Sequence, residues 1–240
     1  FYVKHNIRNR VVGFKYQQSQ GRPKTPVLAF SLCLAKLVQQ RKPLVYFDES
    51  SFHMWMRNAR TWTTPDCAVK WQIPKIRGQG VTVFGAISTD LPQPVFMKAP
   101  TTSKEHVLKF LGLLRRQFRD PDQTVFVVLD NHPSHHTKDV TALAKNLNFE
   151  LLFLPPYCPE LNSIEALWGV LKRRVKRCLI ENKLVTLTQK HFELILDGCL
   201  DSIEPEAQQA AAQHNNRGFI FKCLQELLEP GWAGPASPAS

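Results

Sequence analysis

Val125-Phe126-Val127-Val128-Leu129 is a run of five apolar residues with no polar interruption, closed by Asp130. A strand with one wet face alternates apolar and polar residues, so an unbroken run marks a strand covered on both faces. Such a strand needs a sheet around it and helices above and below, which commits the chain to an α/β architecture. The flanking segments supply both. Leu44 to Phe47, Val81 to Ile87, Val95 to Met97 and Leu151 to Leu154 are further short apolar runs of strand type. Helical spacing joins Val27, Phe30, Leu34, Leu37 and Val38, then Val107, Phe110, Leu111, Leu114 and Phe118, and then Val140, Leu143, Ala144 and Leu147. From Asn162 a longer helix runs through Ile164, Leu167, Trp168, Leu171 and Val175. The expected fold is a mixed sheet of five strands, flanked by helices on both sides.

At 240 residues the chain has room for one domain with appendages. Its 43% hydrophobic content excludes global disorder. No apolar stretch is long enough for a membrane helix and no signal-type apolar segment opens the chain, so an intracellular protein with no membrane partner is expected. It would reside in the nucleus if the source is eukaryotic, and in the cytoplasm or nucleoid if bacterial. The cysteines, Cys33, Cys67, Cys158, Cys178, Cys199 and Cys223, show no close pairing in sequence and are expected as free thiols.

The net charge of +11 is unevenly placed. Residues 1 to 42 hold nine basic residues and no acid, leaving 22 against 20 for the remainder. Gln17 to Pro26 reads as linker and Pro230 to Ser240 as a flexible tail. The expected organisation is therefore a basic arm over residues 1–42, a globular body over 43–229 and a tail over 230–240. A second basic cluster, Lys172-Arg173-Arg174-Val175-Lys176-Arg177, lies within the long helix. Two such clusters point to a polyanion, and nucleic acid is the candidate, although a solvated helix face explains the second equally well.

Three acids sit where elements end or begin: Asp48, Asp130 and Glu165. Each has an ordinary explanation. An aspartate after a strand commonly bonds its own backbone, and Asn162 with Glu165 has capping-box spacing. In combination they suggest more, because carboxylates from separate rigid elements offer the oxygen ligands that Mg²⁺ requires, and two such ions serve phosphodiester cleavage. Glu165, Gly169, Lys172 and Lys176 share one helix face, which puts a metal ligand beside phosphate-binding cations. His132, His135 and His136 suggest zinc only weakly, since no cysteine accompanies them. Trp55, Trp62 and Trp71 suit either base stacking or packing.

Several blocks together resemble the mariner-like transposases and their bacterial insertion-sequence relatives. They are Val45-Tyr46-Phe47-Asp48-Glu49-Ser50, Arg60-Thr61-Trp62 before Pro65, the stretch Gly80 to Ser88, Leu129-Asp130-Asn131 with His135, and the stretch Leu154 to Trp168 (LPPYCPELNSIEALW). The resemblance spans about Leu44 to Lys176. It implies a ribonuclease H-like, retroviral integrase-like fold. It also implies an Asp-Asp-Glu triad, carried here by Asp48, Asp130 and Glu165, with 34 residues between the last two. Asn131, His135 and Asn162 would support those acids, and Arg22, Lys24, Lys172, Arg173 and Lys176 would hold DNA. Ser163 and Cys158 depart from the family pattern, which has Pro and a small residue such as Ser there. The family carries two helix-turn-helix modules ahead of the catalytic domain, and Gly21-Arg22-Pro23-Lys24 resembles the linker motif associated with them.

What the resemblance implies is a transposase catalytic domain. It would cleave double-stranded DNA with two Mg²⁺ ions, Mn²⁺ substituting, and join the freed 3′ hydroxyl to a target. It would act as a homodimer on DNA with no organic cofactor. Two alternatives share the fold: a domesticated or truncated descendant that binds DNA or protein without activity, and a cellular nuclease that cleaves without joining.

Overall fold

A computed structural model describes residues 24–54, 56, 80–181 and 188–214. The element order is α1 (Lys24–Gln39), β1 (Leu44–Phe52), β2 (Val81–Ser88), β3 (Val95–Ala99), α2 (Lys104–Arg115), β4 (Val125–Leu129), α3 (Lys138–Asn146), β5 (Phe149–Phe153), α4 (Ile164–Glu181), α5 (Gln189–Asp201) and α6 (Pro205–His214). Short 3₁₀ turns at Pro133–His136 and Pro159–Leu161 precede α3 and α4.

The strands form one mixed sheet in the order β3-β2-β1-β4-β5. β1, β2 and β3 pair antiparallel, whereas β4 pairs parallel with β1 and β5 parallel with β4. β4 is flanked on both sides and its alternate residues feed both faces, as its unbroken apolar run requires. Val125, Val127 and Leu129 join Val45, Phe47 and Phe84 in a core under α2 and α3. Val128 joins Tyr46, Phe52, Val83 and Ile87 in a second core under α1, α4, α5 and α6. Among the described residues no helix is long and apolar enough to cross a membrane.

Three boundaries differ from those expected. β1 does not stop at Phe47 but continues to Phe52, because β2 pairs with it along its length, from Val45↔Ser88 to Phe52↔Val81. Asp48 and Glu49 are therefore strand residues. α1 begins at Lys24, so Lys24 to Pro26 belong to a helix and not to a linker, and Leu34 and Leu37 are buried in the same core as α4. β5 begins at Phe149, because Val125↔Phe149 already pairs across the parallel ladder. The rest of the basic arm with Arg22, the Arg60-Thr61-Trp62 block with Trp55 and Trp71, and the C-terminal tail lie outside the described residues.

The pairing of β1 creates the opening that the site occupies. β1 is bonded to β4 only from Leu44↔Phe126 to Tyr46↔Val128, and beyond Tyr46 it follows β2 alone. β4 ends at Leu129. The carboxyl ends of these two parallel strands thus diverge, and a sheet commonly binds its ligand in a crevice of that kind.

Candidate active site

Period-two alternation assigns the two neighbouring acids of β1 to opposite faces of the sheet. Asp48 follows Tyr46 onto the α4 face, and Glu49 follows Phe47 onto the face of the turn Pro133–His136. Asp130, just past the end of β4, stands between them.

On the first face, Asp48 Oδ2 accepts a hydrogen bond from the Trp168 indole Nε1 at 2.9 Å. The close approach of α4 that permits this bond depends on Gly85, which pairs directly with Asp48 on β2. A Cβ built on Gly85 would stand 2.5 Å from the Trp168 ring and 3.1 Å from Ile164. A glycine inside a strand often marks such an approach. Burial raises the Asp48 pKa from 3.8 to about 7, and the charges of Glu165, Glu49 and Asp130 add to the rise.

On the second face, His135 is completely buried and spans two carboxylates. Its Nε2 lies 2.8 Å from Glu49 Oε1 and its Nδ1 lies 2.9 Å from Asp130 Oδ1. Both ring nitrogens face acceptors, so the imidazolium, with two N–H donors, satisfies the geometry. Burial works against that charge, but the bonds to Asp130 and Glu49 outweigh it and raise the pKa from 6.5 to about 10. Asp130 is held below its usual range by the His135 bond, against the opposing effect of burial, with the His132 backbone N–H adding to the lowering. That N–H reaches Asp130 Oδ1 at 3.0 Å, so the ordinary Asx-turn role expected of a strand-end aspartate is present as well.

Glu165 opens α4 and is raised by burial, with Lys172 opposing and Asp130 reinforcing the shift. The capping explanation does not hold for it. Asn162 turns its side chain the other way and donates through Nδ2 to the Phe47 carbonyl at 2.9 Å. Among the described residues nothing hydrogen-bonds to the Glu165 carboxylate. Asp48, Asp130 and Glu165 line one cleft of about 530 Å³, with Asn131, His132, Asn162 and the loop from Leu154 to Pro159 as its other walls.

Asn131 donates through Nδ2 to the Leu154 carbonyl, fastening the end of β5 beside Asp130. The histidines do not assemble a zinc site. His132 Nδ1 lies 2.7 Å from Ser134 Oγ, His136 stacks on Phe153 at 4.1 Å, and both nitrogens of His135 are engaged. Among the described residues, Glu49, Asp130 and His135 have ligand-type atoms all within 4.8 Å of one another. Both ring nitrogens of His135 are already engaged by the two carboxylates, so in this arrangement the group is a hydrogen-bonded bridge between two acids, and a metal ion there would have to displace a ring proton. The three carboxylates of the cleft are a second candidate donor set. They are hard oxygen ligands, and their mutual repulsion is part of what raises Asp48.

The cations of α4 divide by role. Arg174 donates through Nη1 to the Ser202 carbonyl at 2.7 Å and to Ser202 Oγ at 2.6 Å, fixing α4 to the end of α5. Among the described residues Lys172, Arg173 and Lys176 make no ion pair or hydrogen bond, and they continue from Glu165 along the helix. Gly169 has open space above it. Lys24 stands at the start of α1, a helix apart from the three elements that carry the acids.

A sequence model of the DDE superfamily endonuclease family matches residues 43–187. The chain belongs to this family. The matched segment contains all three cleft acids, and the DDE endonuclease fold is equally evident in three dimensions. The Mos1 transposase paired-end complex with the left transposon end superposes with a TM-score of 0.68 at 16% identity, covering 90% of this chain and 66% of that one. The Mos1 transposase catalytic domain with raltegravir and Mg gives 0.58 at 14% identity, covering 89% and 97%. The catalytic domain of Mos1 mariner transposase alone gives 0.57 at 14% identity, covering 90% and 97%. The mixed five-stranded sheet thus has the ribonuclease H-like fold that the Mos1 catalytic domain also has. No curated protein sequence matches the chain.

Glu49, Gly85 and Trp168 were not anticipated as parts of this candidate site. Gly85 inside an apolar strand was the available signal, and the indole of Trp168 lies one helical turn from Glu165 on the buried side.

Proposed function

We propose that this chain is the catalytic domain of a DNA transposase, cleaving double-stranded DNA at an element end and joining the resulting 3′ hydroxyl to a target. The observation that carries it is the convergence of Asp48, Asp130 and Glu165 on one cleft beside a row of uncommitted cations. The DDE endonuclease family supplies the reaction class. The Mos1 structures, one with a transposon end and one with Mg, favour DNA as substrate and Mg²⁺ or Mn²⁺ as cofactor. Because the chain spans 66% of the paired-end Mos1 protein, end recognition and a dimer on DNA extend the same proposal. Residues 43–229 form the catalytic domain in this account together with α1, whose Leu34 and Leu37 are buried in the same core; the rest of 1–42 is a basic lead-in and 230–240 a tail.

Bound divalent ions supply Lewis-acid activation of the attacking oxygen and stabilisation of the leaving one. The residues of the chain do the rest. Asp48, Asp130 and Glu165 would hold the ions from β1, the end of β4 and the first turn of α4, so the site is set by the sheet and the helix packed on it. Trp168 orients the Asp48 carboxylate, and His135 fixes that of Asp130. Asn131 ties the cleft loop to the end of β4, and Asn162 ties it to β1 beside Asp48. Lys172, Arg173 and Lys176 hold the phosphate backbone, a contact that positions DNA without reading its sequence.

The test is cleavage of supercoiled plasmid by the wild type and Asp130→Asn with Mn²⁺ or Mg²⁺. The wild type should nick the plasmid and, with a donor end supplied, yield joined products. Asp130→Asn should lose both reactions while keeping its fold and bulk DNA affinity. Equal nuclease activity in the variant would remove the assignment, and cleavage without joining would narrow it to a nuclease.

A further inference from the structure

The cleft loop holds one feature that the metal site does not use. Tyr157 is 80% exposed, and among the described residues its side chain makes no hydrogen bond or ring contact. Its backbone is left-handed, with φ of 60°, a conformation that residues with bulky side chains rarely adopt. Tyr157 lines the same cleft as the three acids.

The loop that presents it is anchored at both ends to the strand residues beside the catalytic acids. At its root, the Leu154 backbone N–H donates to the Leu129 carbonyl at 2.9 Å, and Asn131 donates to the Leu154 carbonyl. These contacts flank Asp130. At its far end Asn162 bonds the Phe47 carbonyl next to Asp48. Between the anchors, Pro155, Pro156 and Pro159 restrict the backbone. Buried Cys158 donates its Sγ–H to the Pro156 carbonyl at 3.4 Å, and the Leu161 N–H closes on the Cys158 carbonyl at 3.1 Å. The chain thus anchors, between both aspartates, the backbone that presents an exposed aromatic ring in a left-handed conformation. A strained residue held by a rigid surround is a sign of a functional constraint.

We propose that Tyr157 is the stacking platform for the nucleobase next to the scissile phosphate. A phosphodiester seated among the three acids carries its own base and sugar to the cleft wall, and every base offers a π-face to an aromatic ring without regard to sequence. Stacking there unpairs or steadies the terminal nucleotide and sets the reacting phosphorus over the carboxylates. This assignment rests on the proposed DNA-cleaving function and adds a subsite for the base to it.

The experiment uses the full chain and a blunt duplex with 2-aminopurine at the 3′-terminal nucleotide, in Ca²⁺ for binding and in Mn²⁺ for cleavage. Wild type and Tyr157→Phe should change the 2-aminopurine fluorescence on binding, and Tyr157→Gly should not. Tyr157→Gly should also cleave roughly 10- to 100-fold more slowly, yet unfold at higher urea, because glycine relieves the left-handed strain. The stability gain separates loss of a subsite from loss of fold. A Tyr157→Gly variant matching the wild type in fluorescence and cleavage overturns the assignment, as does a wild type that leaves 2-aminopurine unchanged. If the fluorescence depends on Tyr157 but no preparation cleaves DNA, the stacking site stands and the nuclease function falls. If cleavage depends on Asp130 but not on Tyr157, the reverse holds.

Discussion

Two carboxylates of the cleft, Asp48 and Asp130, are each set by a neighbour whose substitution has a calculable direction. Gly85→Ala places a methyl where the Trp168 ring already lies, at 2.5 Å. Overpacking of this kind costs about 1–3 kcal/mol, and it also pushes the indole off Asp48, so the urea midpoint and the activity should fall together. His135→Ala leaves Glu49 nearly buried without its partner, since the Glu49 side chain is 8% exposed. Breaking a buried pair costs about 3–5 kcal/mol, which denaturant titration would read directly. The same pair makes metal-free stability depend on pH. His135 has a folded pKa near 10 against 6.5 unfolded, so its contribution is complete below pH 6.5 and is lost as pH rises to 10. Asp48 has its folded value raised from 3.8 to about 7, so the folded state is increasingly penalised as pH climbs through that window. Both effects run the same way. The thermal midpoint of the metal-free protein should fall as pH rises from about 4 to 10. A flat profile above pH 6.5 would remove the imidazolium from between Glu49 and Asp130.

Among the elements, β1 and α4 do the most to position the site, and the sequence disclosed them unequally. The apolar stripe of α4 and its cationic face were legible because a 3.6-residue period separates them cleanly. The extent of β1 was not, because Asp48-Glu49-Ser50-Ser51 has the composition of a turn and is kept in the strand only by its pairing with β2. Tertiary pairing overrode local propensity there. The Glu49–His135 bond joins residues 86 positions apart, and no local pattern could reveal it. Likewise Cys178 and Cys199, distant in sequence, meet across α4 and α5 with their sulfurs 3.9 Å apart. On α4, cations with different duties are adjacent in sequence, and substitution distinguishes them. Replacing Lys172, Arg173 and Lys176 by alanine should reduce the slope of log affinity for DNA against log salt by about 3, near 0.9 for each phosphate no longer neutralised. Arg174→Ala should leave that slope alone and lower stability instead, through its bonds to Ser202. An equal fall in slope in both variants would mean that the helix presents its charge to DNA indiscriminately.

Taken together, the sheet and its helices form a rigid frame that opens where β1 and β4 part, and the three acids occupy that opening from β1, the end of β4 and the start of α4. The central claim is that this opening binds divalent metal through Asp48, Asp130 and Glu165. A crystal of the chain soaked in Mn²⁺ and measured for anomalous scattering tests it most directly, since Mn²⁺ reports on a Mg²⁺ site. The account predicts a peak bound by at least two of these carboxylates, with space for a second ion roughly 4 Å away. A peak instead among Glu49, Asp130 and His135, or none at high Mn²⁺ concentration, would contradict it.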